Sequence, residues 1–259
     1  MFSIVCVYNK KDVLESVLLP SLKKQTSPYE LVLIDNTKNQ YASVAAALNA
    51  GGAMTRQGKY IMFVHQDVSL PSATWLDDSE KILDRIDHLG IAGVWGGRVA
   101  GGKDFDSHLV GYVKSGNTIL GKPLSASAPT QTVDELLFII PRKVFNIVQF
   151  DNKTFDFIHL IATDYCLRVS KLGFGVYVIP GYVEHKSTGN FYDIDRYRIR
   201  LARKFWRNLP IFTTCGEISL MSLPKFLLLS ILPKRVSIYL RNFRNKLKGK
   251  NIDTRGFTV

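Results

Sequence analysis

The sequence predicts an α/β fold: a mostly parallel sheet flanked by helices, followed by a basic, amphipathic, helical C-terminal extension. Apolar runs alternate with helical patterns over the first two thirds of the chain, and these runs are apolar on both faces, as buried parallel strands are. Charge separates the last part: residues 1–195 hold 19 Lys/Arg and 20 Asp/Glu, whereas residues 196–259 hold 15 and 2. With 46% hydrophobic and 22% charged residues, the chain has the composition of a folded protein.

Each predicted element follows from a local pattern. Strands are predicted at residues 2–7, 30–35, 60–64 and 90–97, with helices at 14–22, 42–54 and 75–83 between them. Residues 98–132 have weak periodicity and read as loops with a small hairpin. A strand at 133–140 leads into a helix that starts at Pro141, where the missing N–H is tolerated. A helix at 164–172, closed by Gly173, and a strand at 175–180 complete the pattern.

Four classes of protein are disfavoured by the sequence: zinc-binding, disulfide-bonded, secreted and membrane-spanning proteins. Cys6, Cys166 and Cys215 lie far apart without a CxxC pair, which argues against a zinc site or a disulfide framework and favours a reducing cytosol. No signal-peptide pattern precedes the first strand. The longest apolar run, residues 226–232, is much shorter than the roughly 20 residues that cross a bilayer, so we expect no membrane span.

Polar side chains follow several predicted strands at their carboxyl ends. Tyr8 and Asn9 follow the first strand, Asp35 and Asn36 end the second, Asp67 follows the third, and His185 lies beyond the last. Each alone is an ordinary solvated loop residue. Because the carboxyl ends of parallel strands share one edge of a sheet, together they predict a ligand-binding crevice.

Several motifs together resemble a known family. "FSIVCVYN", "ELVLIDNTKN", "AALNAGGAMTRQGKYIMFVHQDV", "VDELLFIIPRKVF" and "TDYCLRVSKLGFGVYVIPGYVEHKSTG" occur in the order and spacing of family 2 glycosyltransferases with the GT-A fold. The resemblance is greatest to bacterial members whose third strand ends in "HQD". It implies a GT-A domain at residues 1–210, with residues 211–259 as the extension. The implied activity is inverting transfer from a nucleotide sugar, linked to UDP, dTDP or GDP, to a saccharide or lipid-linked saccharide in bacterial surface polysaccharide biosynthesis.

The resemblance also assigns roles in donor binding. Asp67 would bind Mg2+ or Mn2+ together with the donor diphosphate, with His185 as a second metal ligand or, alternatively, as a surface histidine. His65 stands where many members have the first aspartate, so the metal motif is reduced. Asp35 would accept the imide N–H of a uracil or thymine base, or would cap its own turn. Tyr8 would stack on or flank the base and Asn9 would fix its loop, and both Asn9 and Asn36 would belong to the nucleotide-sugar-binding residues.

A catalytic base must take the proton of the acceptor hydroxyl. The resemblance places Asp164 in this role, although relatives often carry a second acid where this chain has Ala162. Asp164 can instead be a helix N-terminal acid stabilised by the helix dipole. Asp134 and Glu135 are the other candidates for the base, or they bind acceptor hydroxyls.

The basic end has three interpretations. Residues 193–208 and 233–250 combine an apolar stripe with many cations, which suits an anionic membrane surface where a lipid-linked acceptor would lie. The protein would then be cytoplasmic and peripheral at the inner face of the cytoplasmic membrane. The stripe can instead pack on the domain. Nucleic acid binding is disfavoured because no binding motif accompanies the charge.

Two other functions remain open. One is a catalytically inactive GT-A domain that binds a nucleotide sugar or a saccharide and recruits partners, suggested by the missing acids at His65 and Ala162. The other is a nucleotidyltransferase, which the absence of a glycine-rich phosphate loop after the first strand disfavours.

Overall fold

The computed structural model describes residues 1–99, 101–102, 104–156, 158–186 and 193–231. The strands are β1 (Phe2–Tyr8), β2 (Tyr29–Asp35), β3 (Tyr60–Val64), β4 (Val68–Ser69), β5 (Leu89–Gly93), β6 (Trp95–Gly97), β7 (Leu109–Ser115), β8 (Thr118–Gly121), β9 (Ala128–Pro129), β10 (Thr132–Val133), β11 (Leu137–Pro141), β12 (Gly175–Val178), β13 (Val183–His185), β14 (Ile211–Thr213) and β15 (Gly216–Ile218). The helices are α1 (Lys11–Val13), α2 (Leu19–Lys23), α3 (Val44–Met54), α4 (Trp75–Leu83), α5 (Arg142–Phe145), α6 (Ile161–Lys171), α7 (Ile194–Lys204) and α8 (Leu223–Ile231). A π-helical turn, Leu14–Leu18, joins α1 to α2.

A seven-stranded sheet forms the centre of the molecule, in the order β2-β1-β3-β11-β5-β12-β9. β1 pairs in parallel with both β2 and β3, and β5 pairs in parallel with β12. The sheet is buried on both faces because alternate residues of its strands enter two cores. Val5 and Phe63 lie in one core, and Ile4 and Met62 in the other. The predicted α/β class, with a large sheet flanked by helices, is confirmed.

Two predicted strands are each divided between sheets. Residues 90–97 form β5 in the main sheet and β6 in a second sheet of order β10-β6-β7-β13-β4. Residues 133–140 likewise divide between β10 and β11, and Asp134, Glu135 and Leu136 form the crossover. A continuous apolar run does not reveal that a strand leaves one sheet for another, since both halves are buried.

β11 runs antiparallel to both β3 and β5, which the sequence pattern did not predict. Its first residue, Leu137, pairs with Val64, the last residue of β3. The start of β11 therefore lies at the edge of the sheet where β1, β2 and β3 end. This reversal brings the acids of the crossover to the predicted ligand edge.

The second sheet includes the hairpin expected within residues 98–132, which is formed by β7 and β8. The predicted helix at 164–172 begins earlier, at Ile161, and Gly173 follows it with a φ of 85°. The three cysteines are free thiols.

The first part of the basic C-terminal region packs on the main domain. Ile211, Ile218 and Phe226 are buried in the same core as the central sheet, and the Thr132 hydroxyl donates to the Phe212 carbonyl at 2.6 Å. The predicted division after residue 210 stays a prediction, and these contacts weigh against it. The predicted basic helix at residues 233–250 lies outside the described residues. Within the described part of the chain, no helix has the length and hydropathy needed to cross a membrane.

Candidate active site

Two histidines and one aspartate converge beyond the end of β3. His65 and Asp67 follow the strand directly, and β13 brings His185 beside them because it pairs antiparallel with β4, with His185 opposite Val68. The Lys186 amide also donates to the Asp67 carbonyl at 2.9 Å. The Nε2 atom of His185 lies 3.3 Å from Oδ1 of Asp67. One ligand atom from each of the three side chains lies within 4.8 Å of the other two.

The electrostatics of this cluster differ between its two histidines. Burial lowers the pKa of His65, partly offset by the nearby Asp67 carboxylate, so this ring is neutral and available as a ligand near pH 7. Burial also acts to lower the pKa of His185, but the hydrogen bond with Asp67 and the charge of that carboxylate outweigh it, so the pKa is raised. In the described structure, the Asp67 carboxylate therefore favours the protonated form of His185.

The donor set fits a divalent cation. Two imidazole nitrogens and one carboxylate oxygen suit Mn2+ better than Mg2+, which prefers oxygen ligands. Asp67 and His185 were predicted as metal ligands from the sequence. His65 was interpreted as a replacement of the first aspartate of the metal motif and not as a ligand. The structure shows that His65 belongs to the cluster. His65 and Asp67 lie in one tight turn, in which the Val68 amide donates to the His65 carbonyl at 3.2 Å, so their closeness in the sequence after a strand was the available signal.

Gln66, which sequence reasoning left without a role, ties two loops of the site together. Its Oε1 atom accepts from the amides of Asn9 and Lys10 at 3.1 and 2.9 Å. Its Nε2 atom donates to Oδ1 of Asn9 at 2.8 Å. The loop after β1 is thereby held against the loop after β3, which accounts for Asn9 as a loop-fixing residue.

Asp35 and Tyr8 lie side by side at the same edge, because they are register partners in the parallel pair β1–β2. The nearby Tyr8 hydroxyl acts to lower the pKa of Asp35. The Thr37 amide donates to Oδ1 of Asp35 at 2.8 Å, and this bond is the largest cause that lowers the pKa of Asp35. Asn36 accepts from the Tyr41 amide at 3.2 Å. Asp35 thus caps its turn and is also ionised at the ligand edge.

Asp134 lies next to the metal-ligand cluster. The backbone of the crossover is bound to the end of β3, since the His65 amide donates to the Leu136 carbonyl at 3.0 Å. The charge of Asp134 acts to raise the pKa of both His65 and His185. Its carboxylate accepts from the Thr214 hydroxyl in the turn between β14 and β15, and from the Leu136 amide at 3.0 Å.

Glu135 faces the N-terminus of α6, where its Oε1 atom accepts from the Ala162 amide at 3.2 Å. Burial, followed by the negative charge of Asp134, raises the pKa of Glu135 to about 8. The adjacent acids are therefore in different environments, one beside the histidines and the other against a helix end.

Asp164 is placed differently from the other predicted acids. Its side chain is only 1% exposed, and both carboxylate oxygens are ion-paired, with Nε of Arg168 at 2.7 Å and Nζ of Lys204 at 2.6 Å. Lys204 also pairs with Asp151 at 2.6 Å. The role of Asp164 as catalytic base stays a prediction, and these contacts favour a structural role that joins α6 to α7.

A family model described as "Glycosyltransferase like family" matches residues 3–188. Comparison with curated proteins gives no match. Solved structures with a similar fold include GalNAc-T7 with UDP, GalNAc and Mn2+, at 13% identity and a TM-score of 0.58 over 80% of this chain and 48% of that one.

Two further solved structures are similar to this chain. The mannosyltransferase PcManGT from Pyrobaculum calidifontis, with GDP-Man and Mn2+, is 13% identical with a TM-score of 0.51, over 88% of this chain and 68% of that one. TarS from S. aureus is 14% identical with a TM-score of 0.52, over 88% of this chain and 43% of that one. This chain thus spans about half the length of GalNAc-T7 and less of TarS.

At these identities the structural likeness shows the fold alone, which is the GT-A fold. The family match covers most of the chain and includes the strand ends that carry Asp35, Asp67 and His185. The protein therefore belongs to the Glycosyltransferase like family.

Proposed function

We propose that this protein is an inverting, metal-dependent glycosyltransferase. It transfers a sugar from a nucleotide-sugar donor to a saccharide or lipid-linked saccharide in bacterial surface polysaccharide biosynthesis. The observation that carries the proposal is the meeting of His65, Asp67 and His185 at the same sheet edge as Asp35 and Tyr8. A nucleotide diphosphate needs a base contact and a diphosphate contact, and this edge offers both.

The cluster of His65, Asp67 and His185 would act on the diphosphate leaving group. As the bond to the anomeric carbon breaks, negative charge grows on the diphosphate, and a bound divalent cation supplies the positive charge that stabilises it. His65, Asp67 and His185 would hold this cation, which we propose to be Mn2+ in preference to Mg2+ because two of the three ligands are imidazoles. Asp35 would accept the imide N–H of a UDP or dTDP donor, or a ring N–H of a GDP donor.

Asp134 is our choice of catalytic base. Inversion is a single displacement: the acceptor oxygen bonds to the anomeric carbon, the bond to the diphosphate oxygen breaks with its electron pair, and the acceptor proton passes to the base. Asp134 lies in the crossover that the His65 amide binds through the Leu136 carbonyl, and Thr214 donates to its carboxylate. Glu135 is the second candidate, since its raised pKa suits a base but its carboxylate is already bound to α6.

A groove of about 240 Å³ supports a saccharide acceptor. Its walls include Tyr112 and Tyr182, whose ring centroids are 5.0 Å apart. Tyr182 precedes the metal-ligand candidate His185 by three residues, so their Cα atoms are within about 10 Å along the chain, with the two side chains on opposite faces of β13. Sugar rings stack on aromatic faces, and Glu184, which accepts from the Tyr182 hydroxyl at 3.3 Å, offers a partner for sugar hydroxyls.

We also propose that the protein is cytoplasmic and works at the inner face of the cytoplasmic membrane. The net charge of +13 over residues 196–259 supports contact with anionic lipid. Part of this charge serves the fold, because Arg198, Arg200 and Lys204 of α7 pair with Asp195, Asp156 and Asp164.

A thermal-shift panel tests the donor site directly. UDP, dTDP and GDP are each added with Mn2+, with Mg2+ or with a chelator, because a ligand that binds only the folded protein raises its melting temperature. We expect one nucleotide to raise the Tm in Mn2+ and to do so weakly with the chelator. Transfer from the matching nucleotide sugar then separates the enzyme from the inactive binding protein. No shift with any nucleotide would contradict the proposal.

A further inference from the structure

The orientation of α8 is fixed by one side of the helix. Phe226 is buried in the main core, and the Arg198 guanidinium of α7 lies 5.0 Å from the centroid of its ring. Leu223, one turn earlier on the same side, packs against the same core. The side of α8 that carries Leu223 and Phe226 therefore packs against the main domain. Residues on the other side of the helix face away from this core.

The other side of α8 and the turn before it are apolar and exposed. Leu227 and Leu228 are 47% and 55% exposed, and Leu220 and Met221 are 70% and 94% exposed. Met221 and Leu228 are seven residues apart, two helical turns, because the turn at Leu220–Ser222 leads directly into α8. Single exposed leucines are common, but four large apolar side chains within residues 220–228 form a patch, which we call the α8 patch.

The surroundings of the α8 patch decide what it fits. Lys225 lies on α8 and is exposed, and residues 196–259, which include α8, carry 15 Lys/Arg against 2 Asp/Glu. Protein interfaces are depleted in lysine near their centres. An apolar stripe set among cations is instead the arrangement of helices that lie in a membrane interface.

We propose that the α8 patch inserts into the interfacial layer of an anionic lipid bilayer and so docks the catalytic domain on the membrane. The proposal deepens the membrane role given above and rests on it, but it assigns the contact to Leu220, Met221, Leu227 and Leu228. Insertion of these side chains removes apolar area from water, while the cations are attracted to lipid phosphates. A lipid-linked acceptor would then be presented to an enzyme already held at the surface.

Vesicle co-sedimentation of the full chain tests the proposal. The probes are vesicles of phosphatidylcholine alone and of an equimolar mixture with phosphatidylglycerol. We expect binding to the mixture and much less to phosphatidylcholine alone. The double variant Met221→Glu/Leu228→Glu should bind the mixture about tenfold more weakly or worse, since two apolar side chains are replaced by charges repelled by the lipid.

Two controls separate insertion from other effects. The variant Met221→Leu/Leu228→Met keeps the patch apolar and should bind as the parent does. Ile147→Glu changes an apolar residue that is 69% exposed outside the patch, and should also bind normally. Equal binding by the double glutamate variant and the parent would overturn the proposal, as would absence of binding to the mixture. A concentration-dependent dimer that the glutamate variant abolishes, without vesicle binding, would likewise overturn it in favour of a second copy of the chain.

The thermal-shift panel distinguishes this failure from failure of the proposed function. It needs no lipid, and the glutamate variant should retain the nucleotide shift of the parent. Loss of vesicle binding with an intact nucleotide shift would affect the docking surface alone.

Discussion

The Nε2 atom of His185 lies 3.3 Å from Oδ1 of Asp67, although the two residues are far apart in the sequence. The antiparallel pairing of β13 with β4 creates this contact. Since His65 adds a third possible ligand atom, the relationship defines a candidate metal site whose chemistry can be tested residue by residue.

Removing a metal ligand should abolish metal-dependent nucleotide binding. Asp67→Asn should lose most of the Tm increase that nucleotide produces in Mn2+, because the charged ligand is gone and the imidazoles alone bind weakly. His65→Ala should weaken it as well. Thermal shift with a Mn2+ titration measures both effects. Asp87→Asn, an exposed acid away from the cluster, is the control and should leave the shift unchanged.

The preference for Mn2+ should depend on His65. His65→Asp replaces an imidazole nitrogen by a carboxylate oxygen, so activity with Mg2+ should rise relative to activity with Mn2+. The measurement is the ratio of initial transfer rates in the two metals. An unchanged ratio would mean that His65 does not contact the cation.

Conservative substitutions distinguish the three candidate bases. Asp134→Asn should lower kcat by at least about 100-fold while leaving nucleotide binding intact, as expected when a general base is removed. Glu135→Gln should cost less, because glutamine still accepts from the Ala162 amide. Asp164→Asn should mainly lower the Tm. A large loss of kcat for Asp164→Asn with an unchanged Tm would restore Asp164 as the base.

Lys204 should matter for folding. Lys204→Met leaves Asp151 and Asp164 without their shared cation, and we expect a loss of about 2 kcal/mol in the free energy of unfolding, reduced from the fully buried case because Lys204 is partly exposed. Arg207→Met, an exposed cation close in sequence, should change stability by no more than about 0.5 kcal/mol. Urea unfolding measures both.

The raised pKa of Glu135 should make the free energy of unfolding depend on pH. Its folded pKa of about 8 lies above the unfolded value of about 4.3, so the folded protein binds more protons in this window. Stability contributed by this group is present below about pH 4.3 and declines as the pH rises toward 8, by at most about 1.4 kcal/mol per pH unit. Unfolding curves without divalent cations measure the slope. Glu135→Gln should flatten it; an unchanged slope would contradict the assignment.

The aromatic groove predicts a selective effect on the acceptor. Tyr182→Ala should raise KM for the acceptor at least about fivefold, because loss of one stacking partner costs roughly 1 kcal/mol or more. KM for the donor should stay the same. Tyr182→Phe keeps the ring and should be mild. Equal increases in both KM values would place the groove outside the acceptor site.

The sequence predicts strand pairing correctly only where the local hydrophobic pattern is the one expected for the pairing that the structure shows. β1, β2 and β3 are apolar on both faces, which predicts parallel strands and puts Tyr8, Asp35 and Asp67 at one edge. The direction of β11 could not be predicted, because an apolar run has the same pattern in a parallel strand and in an antiparallel strand. Asp134 and Glu135 could therefore be nominated from the sequence, but their position beside the histidines could not be derived.

The sequence by itself determined the α/β class, the family resemblance and the sheet edge at which ligand binding is predicted, because these depend on patterns along the chain. Only the tertiary structure decided which side chains share that edge. It brought His65 into the metal-ligand cluster, placed both oxygens of Asp164 in ion pairs, and turned the apolar side of α8 outward. The physical reason is that ligand geometry and charge pairing arise between residues distant in the chain, and no local periodicity records their separation in space.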